Sequence, residues 1–275
     1  MMIDVPKYND IIGCFVAELI ESNAIDFKDV LEVSNVIDNR AQYGPNFITS
    51  IISEFLSSYP ESKLLDAWKS SNVKAADFFE GDIKDILVND MKDKIVDSSI
   101  SSVWPLAAVA KYLKNNMDSK NPDEIIKYVE SQLDKNTLKS SAFVEVFIGR
   151  CIKYVTTKTI FQNQFRPREH SRELYKEKEE IITKIKPVIS HFINNNNSVD
   201  VIYSIQDYCL DTKYRIDEKS KITLFENLVR IFINSEIVDK SSLDNYTKDK
   251  RSSPNKNKIV NSPSFQKFTE SINQA

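Results

Sequence analysis

The sequence predicts an all-α fold built from antiparallel helix pairs stacked side by side. Apolar residues recur at steps of three and four along most of the chain, and such steps place side chains on one face of a helix. Only 4 glycines occur among 275 residues, which argues against a sheet-and-turn protein or a glycine-rich phosphate loop. No segment alternates between apolar and polar residues as a half-buried strand would.

Four helices are expected at the start of the chain. The first runs from about Pro6 to Glu21, with a proline suited to the first helical position. Asp26 is placed to cap the second helix. Pro45 is expected to open the third helix and Pro60 to stop it, and residues 61–71 carry the stripe of a fourth. These helices form two antiparallel pairs.

The middle of the chain contains the predicted module boundary. Residues 72–97 are less regular, with one short helix expected around Ile83–Val88, and the helical pattern resumes at Ser98. Asn121-Pro-Asp-Glu124 is a strong helix start, because it combines a capping asparagine, a proline in the first turn and a glutamate at the third position. Another apolar stripe begins near Ser140.

The stretch from Ile181 to Tyr246 carries three amphipathic stripes with short joins, so it predicts three packed helices. Before it, residues 156–167 are expected to form a loop. The charged segment from Arg168 to Lys186 is interpreted as a solvated helix face with ion pairs between residues four apart. A last short helix is expected to begin at Ser262, with Phe265 and Phe268 as its apolar side.

Composition indicates a soluble, cytoplasmic protein. The formal net charge is -3, which provides no overall attraction to nucleic acid or to acidic membranes. The sequence shows no signal peptide and no run approaching the roughly 20 apolar residues of a membrane span. Cys14, Cys151 and Cys209 are far apart on apolar stripes, so they are expected to be reduced and buried.

The sequence gives little support to catalysis. It contains two histidines, His170 and His191, which are expected in solvated or core-edge positions. Metalloprotease, nucleophile-elbow and phosphate-loop motifs are missing, and Cys151 on an apolar stripe favours a packed thiol over a nucleophile. The expectation is a protein that is not an enzyme and has no cofactor or metal site.

A basic tail leaves a second functional class open. Residues 248–267 contain several lysines and one arginine, flanked by Tyr246, Phe265 and Phe268. Such a segment can hold phosphates. One functional class is therefore a helical-repeat adaptor that touches RNA through residues 248–267.

The order of motifs resembles the C-terminal region of the eukaryotic translation initiation factor 4 gamma family, and most closely the pattern of its short paralogue, death-associated protein 5. The resemblance covers nearly the whole chain, weakly at each point but in consistent order. It is carried by these segments: Pro6–Trp68, Asp123–Val129, Lys186–Phe192, Val201–Gln206, Leu224–Phe232, Glu236–Asp239 and Asn255–Val260.

The resemblance implies a non-catalytic, cytoplasmic scaffold of translation initiation with HEAT-type helical repeats in an α-α superhelix. Residues 1–90 would be the end of the penultimate HEAT-type domain. Residues 98–275 would be the C-terminal domain that the family shares with initiation factor 5 and the exchange factor of initiation factor 2. Implied partners are the beta subunit of initiation factor 2, a DEAD-box helicase and the kinase of the cap-binding factor, with RNA approached through the larger complex and no membrane.

The family's acidic and aromatic patch corresponds to the last helices of this chain. The resemblance therefore predicts a partner-binding surface there, formed by Phe232, Glu236, Asp239, Asp244, Tyr246, Phe265 and Phe268. Relatives have a dense acidic run where this chain continues from Asp239 with lysine and two serines, and a tryptophan where it has Tyr246. Asp239 has two interpretations, as a binding residue or as the cap of the helix that starts at Lys240.

Overall fold

The predicted all-α fold is confirmed over the part of the chain that the structure describes. The computed structural model describes residues 8–36, 40–73, 101, 104–162, 168, 171–211, 217–251 and 254–274, and within these ranges it has 13 α-helices and no strand. The chain divides into two compact units, Met1–Lys111 and Tyr112–Ala275.

The first unit contains the helices α1 to α4 and most of α5. Their bounds are α1 Tyr8–Glu21, α2 Phe27–Val36, α3 Arg40–Ser58, α4 Glu61–Ser70 and α5 Pro105–Asn116. Helices α1 and α3 pack most extensively. They come close at Gly13, where an added Cβ would lie 2.9 Å from the backbone of Ser50, so a larger residue would push the two helices apart. The apolar core around this contact includes Ala17, Ile20, Ile51, Ile52 and Phe55.

The second unit contains eight helices after the end of α5. They are α6 Pro122–Gln132, α7 Ser141–Lys158, α8 Arg172–Phe192, α9 Ser198–Asp211, α10 Glu218–Asn234, α11 Lys240–Lys248, α12 Pro254–Val260 and α13 Pro263–Gln274.

Most helices of the second unit pack on neighbours two positions along the chain, while α7 with α8 and α9 with α10 pack as direct neighbours, as stacked helix pairs do. The helix α9 packs on both α7 and α11, while α8 packs on both α6 and α10, and α13 packs on α10 and α11. This alternation produces two layers with an apolar core between them. The predicted repeat of helix pairs is therefore present within this unit.

The helix starts that the sequence predicts are formed by the expected side chains. The Asn121 carboxamide oxygen accepts a 2.9 Å hydrogen bond from the Glu124 N–H, and its amide donates to the Glu124 carboxylate at 3.1 Å. The Asp26 carboxylate accepts from the N–H groups of Lys28 and Asp29 at 2.8 and 3.0 Å. These bonds satisfy N–H groups that have no partner within a helix.

Some predicted boundaries differ from the structure. Pro45 does not open α3, which begins at Arg40. The proline is the sixth residue of this helix, a position where a proline removes one backbone hydrogen bond and crowds the preceding turn. Residues 156–167 are not all loop, since α7 continues to Lys158 and the side chains of Ile160 and Phe161 are buried. The short helix expected at 83–88 and Pro6 lie outside the described residues, and the two resemblance-based domain assignments stay predictions.

Candidate protein-binding surface

Two of the predicted acidic residues, Glu236 and Asp239, lie where α10 passes into α11, and the third, Asp244, lies within α11. Glu236 occupies the turn between these helices with a φ of 55°, and its side chain is 88% exposed. Its carboxylate lies 3.6 Å from the Lys186 amine, which is at the edge of ion-pair distance. Asp239 and Asp244 are exposed as well. We call these three residues the acidic corner.

Asp239 caps α11. Its Oδ1 accepts hydrogen bonds from the Ser242 N–H at 2.7 Å and from the hydroxyls of Ser241 and Ser242 at 2.8 and 2.7 Å. The bond from the Ser242 side chain is the main cause that lowers the pKa of Asp239. The capping interpretation of this residue is confirmed, and a partner would meet a carboxylate that is already hydrogen-bonded.

The four predicted aromatic residues belong to the core and not to the surface. Phe232 and Tyr246 are 1% and 0% exposed, and Phe265 and Phe268 are 3% and 4% exposed. The ring of Phe225 lies 6.1 Å from Tyr246 and 6.3 Å from Phe265 between ring centres, and Phe265 lies 5.9 Å from Phe268. The expectation that they offer apolar area to a partner is corrected here, because packing α10, α11 and α13 together covers the face they share.

The hydroxyl of the buried Tyr246 has a hydrogen-bond partner within the core. Its hydroxyl donates a 2.6 Å hydrogen bond to the side-chain oxygen of Gln206, and both residues are fully buried. Burial raises the pKa of Tyr246 well above its ordinary range, so the phenol stays neutral. A buried tyrosine usually needs such a partner for its hydroxyl, and Gln206 on α9 supplies it.

A groove lies between α10 and α13. It has a volume of about 270 Å³. Most of the side chains that line it are polar, and they come from both helices: Glu226, Asn227, Arg230, Ser264, Lys267, Phe268 and Ser271. We call this the α10–α13 groove. It borders the buried aromatic cluster at Phe268, which is the only predicted site residue that lines it.

Sequence reasoning missed the polar residues of this groove, although the sequence contains a signal for them. Glu226 and Arg230 are four residues apart on α10. On α13, residues 264, 267 and 271 are separated by three and four residues, which is also helical spacing. A polar stripe at helical spacing is usually a solvated face. It can be recognised as the lining of a groove only when the position of a second helix beside it is known.

Three of the six basic residues in the tail have partners within the fold. Arg251 bonds to the carboxylates of Asp200 and Asp249 at 2.5 and 3.1 Å, and its guanidinium lies 4.2 Å from the ring centre of Tyr203. Lys256 is buried and donates to the Asp249 carbonyl at 2.5 Å. Lys258 lies 3.5 Å from the Glu218 carboxylate. These contacts reduce the positive charge that the tail offers to RNA.

The cysteines and histidines occupy unremarkable positions where they are described. Cys151 and Cys209 are buried, and burial raises the pKa of both thiols. Cys14 is exposed, so the expectation that all three cysteines are buried is wrong for Cys14. It lies on α1 next to the exposed Phe15. His191 lies 2.8 Å from the Glu130 carboxylate at the surface, and His170 lies outside the described residues.

The described residues offer neither a metal site nor a membrane-spanning helix. They contain no group of three or more histidine, cysteine, aspartate or glutamate side chains arranged to hold a metal ion. None of the helices in this part of the chain is long and apolar enough to cross a membrane.

The first unit exposes an apolar stripe of its own. Ile11 and Phe15 on α1 are 63% and 64% exposed, and Val33 on α2 is 56% exposed. The first two are four residues apart and therefore share a helix face. Exposed apolar residues that share a face are a feature of interaction surfaces.

Comparison of the chain with protein-family models finds no match, and neither does comparison with curated proteins.

Proposed function

We propose that this chain is a non-catalytic adaptor that binds a protein partner through the last helices of its second unit. The observation that carries the proposal is the open α10–α13 groove, which two helices form beside the buried aromatic side chains. The helices hold the polar residues of the groove in place, so a partner can bind without ordering the surface first. Glu236 and Asp244 of the neighbouring acidic corner add exposed charges that can guide an approaching partner.

The resemblance noted above makes the proposal more specific. It suggests a scaffold of cytoplasmic translation initiation, with the beta subunit of initiation factor 2, a DEAD-box helicase or the kinase of the cap-binding factor as partners. The support for this part is the consistent order of the motifs. Because all four aromatic residues are buried, a partner would meet polar and charged side chains at the acidic corner.

The first experiment is a pulldown from cytosol with the full chain as bait, followed by identification of the captured proteins. Under the proposal, initiation factors are captured in preference to other abundant cytosolic proteins. Capture of no protein above a bait-free control would contradict the adaptor function. Specific capture of proteins unrelated to initiation would contradict only the assignment to translation.

The acidic corner is tested by titrating a Lys-rich peptide from the beta subunit of initiation factor 2. The variant Glu236→Lys/Asp244→Lys leaves the capping Asp239 intact, so α11 keeps its hydrogen bonds. Exposed charge pairs contribute little individually, so we expect the affinity to fall by about threefold to tenfold, with the wild-type affinity weakening as salt is added.

A matched control carries the same charge change elsewhere. Asp123→Lys/Glu180→Lys replaces two exposed acids on α6 and α8. It alters the net charge by the same amount but leaves the corner unchanged, so it is expected to bind the peptide almost as the wild type does. Equal loss of affinity in both double variants would show that only net charge matters and would remove the acidic corner from the binding surface.

A further inference from the structure

We propose that the α10–α13 groove binds a carboxylate side chain of an acidic segment in the protein partner. This inference rests on the proposed adaptor function and names the chemistry of the partner at this groove. It differs from the Lys-rich partner that the acidic corner would attract.

Arg230 is oriented for this role by its contacts on α13. Its Nη2 donates a 2.6 Å hydrogen bond to the Ser271 hydroxyl, and its guanidinium carbon lies 5.1 Å from the ring centre of Phe268. Phe268 is itself buried, so it holds the guanidinium in place. A guanidinium has five N–H donors in a planar fork that matches a carboxylate. The structure gives Arg230 no second hydrogen-bond acceptor and no ion pair among the described residues.

The charges of the groove favour an anion. Lys267 is exposed on α13 and has no ion pair with a carboxylate in the described part of the chain. The one carboxyl group in the groove belongs to Glu226, whose Oε1 is buried without a hydrogen-bond partner among the described residues, and whose pKa is raised by burial although the charge of Arg230 acts in the opposite direction. Two cations therefore face one partly buried acid. The tail cations Arg251 and Lys258 differ, because each already has a carboxylate partner.

The size of the groove favours a protein side chain over RNA. A volume of about 270 Å³ accommodates one or two side chains but not a run of nucleotides. A single carboxylate can accept two parallel hydrogen bonds from Arg230, which is the strongest arrangement for this pair. RNA binding depends on many phosphate contacts along a basic surface. Two cations of the tail, Arg251 and Lys258, already have carboxylate partners.

The test is a titration of the full chain with fluorescently labelled hexaglutamate, followed by anisotropy at low and at near-physiological salt. Wild type is expected to bind saturably and more weakly as salt rises. Loss of hydrogen bonds to a charged group weakens binding by roughly tenfold to a hundredfold, so Arg230→Gln should lose affinity by about that factor. Lys267→Gln should lose about threefold to tenfold, the effect of an exposed charge.

The matched control is Lys219→Gln. Lys219 is an exposed lysine on α10 that does not line the groove, so its replacement removes the same charge and is expected to leave the affinity unchanged. Circular dichroism establishes that each variant is folded. Because Lys267 is exposed, its variant is expected to fold even if Arg230→Gln does not, and it then decides the test alone.

Three results would overturn the inference. The first is a wild type that does not bind hexaglutamate at any salt concentration. The second is equal affinity of Lys267→Gln and Lys219→Gln. The third is tighter binding of a uridine hexanucleotide than of hexaglutamate at the same groove, lost in Lys267→Gln. In each case the pulldown still reports on the adaptor function separately, because capture of a protein partner does not require an acidic peptide to bind here.

Discussion

Lys178 on α8 and Lys256 on α12 are both buried, with exposed fractions of 0% and 7%, but they differ in what their amines contact. The Lys256 amine donates to the Asp249 carbonyl at 2.5 Å and lies 5.4 Å from the ring centre of Tyr246. The Lys178 amine has no hydrogen-bond partner among the described residues. Burial lowers the pKa of Lys178 to about 8, against an ordinary value of about 10.4.

The difference shows that burial of a lysine is tolerated at these two sites for different reasons. At Lys256 a carbonyl and aromatic faces replace the water that the ammonium loses. At Lys178 no hydrogen-bond acceptor in the described part of the chain replaces that water, and the position lies in the apolar stripe of α8 between Leu174 and Ile182. The fold therefore keeps Lys178 at a cost in stability, whereas Lys256 connects α12 to the preceding turn.

Lys178→Met gives the largest expected effect. Methionine fills a similar volume without a charge, so the free energy of unfolding at pH 7 should rise by up to about 3 kcal/mol, the energy that corresponds to the lowered pKa. The measurement is urea denaturation of both proteins. Lys176→Met, an exposed neighbour on the same helix, is the control and should change stability little. A destabilised Lys178→Met protein would mean that the amine has a partner that compensates its burial.

Lys256→Met should have the opposite sign. The change leaves the Asp249 carbonyl without its donor and removes the cation from the face of Tyr246, so the free energy of unfolding should fall by about 1–3 kcal/mol. The same denaturation experiment measures it, with the exposed Lys250→Met as control. Equal effects of Met at 178 and 256 would remove the distinction between the two sites.

The dependence of stability on pH gives the smallest effect and the most specific one. Because the folded pKa of Lys178 is lowered, the unfolded chain binds more protons between about pH 8 and the ordinary lysine value. Stability therefore rises with pH in this window. From pH 7 to pH 9 the wild type should gain about 1 kcal/mol relative to Lys178→Met. Parallel curves for the two proteins would contradict the lowered pKa.

Local signals predicted most of the helices correctly. The caps at Asp26, Asn121 and Asp239 depend on side chains within three residues of the N–H groups they satisfy, so the sequence alone contains both partners. Apolar spacing likewise predicted the stripes of α7, α8 and α10, because helical periodicity is a local property. The expectation that Pro45 opens α3 was wrong, because the helix begins at Arg40 and continues through the proline.

The candidate site was predicted less well. Phe232, Tyr246, Phe265 and Phe268 were expected at the surface, but an apolar face looks the same in a sequence whether another helix or a partner covers it. The groove residues Arg230 and Lys267 were not predicted, because the sequence of a charged helix face does not indicate whether another helix lies beside it.

The order of residues along the chain was sufficient to determine that this protein is helical, where many of its helices begin and which faces are apolar. Those properties depend on interactions between residues three or four apart. Pairing of the helices decided which charges are buried, which cations keep a free donor and which aromatic rings reach solvent. Lys178, Lys256 and Tyr246 owe their surroundings to residues on other helices, and such long-range contacts become visible only when the layers of the second unit are packed together.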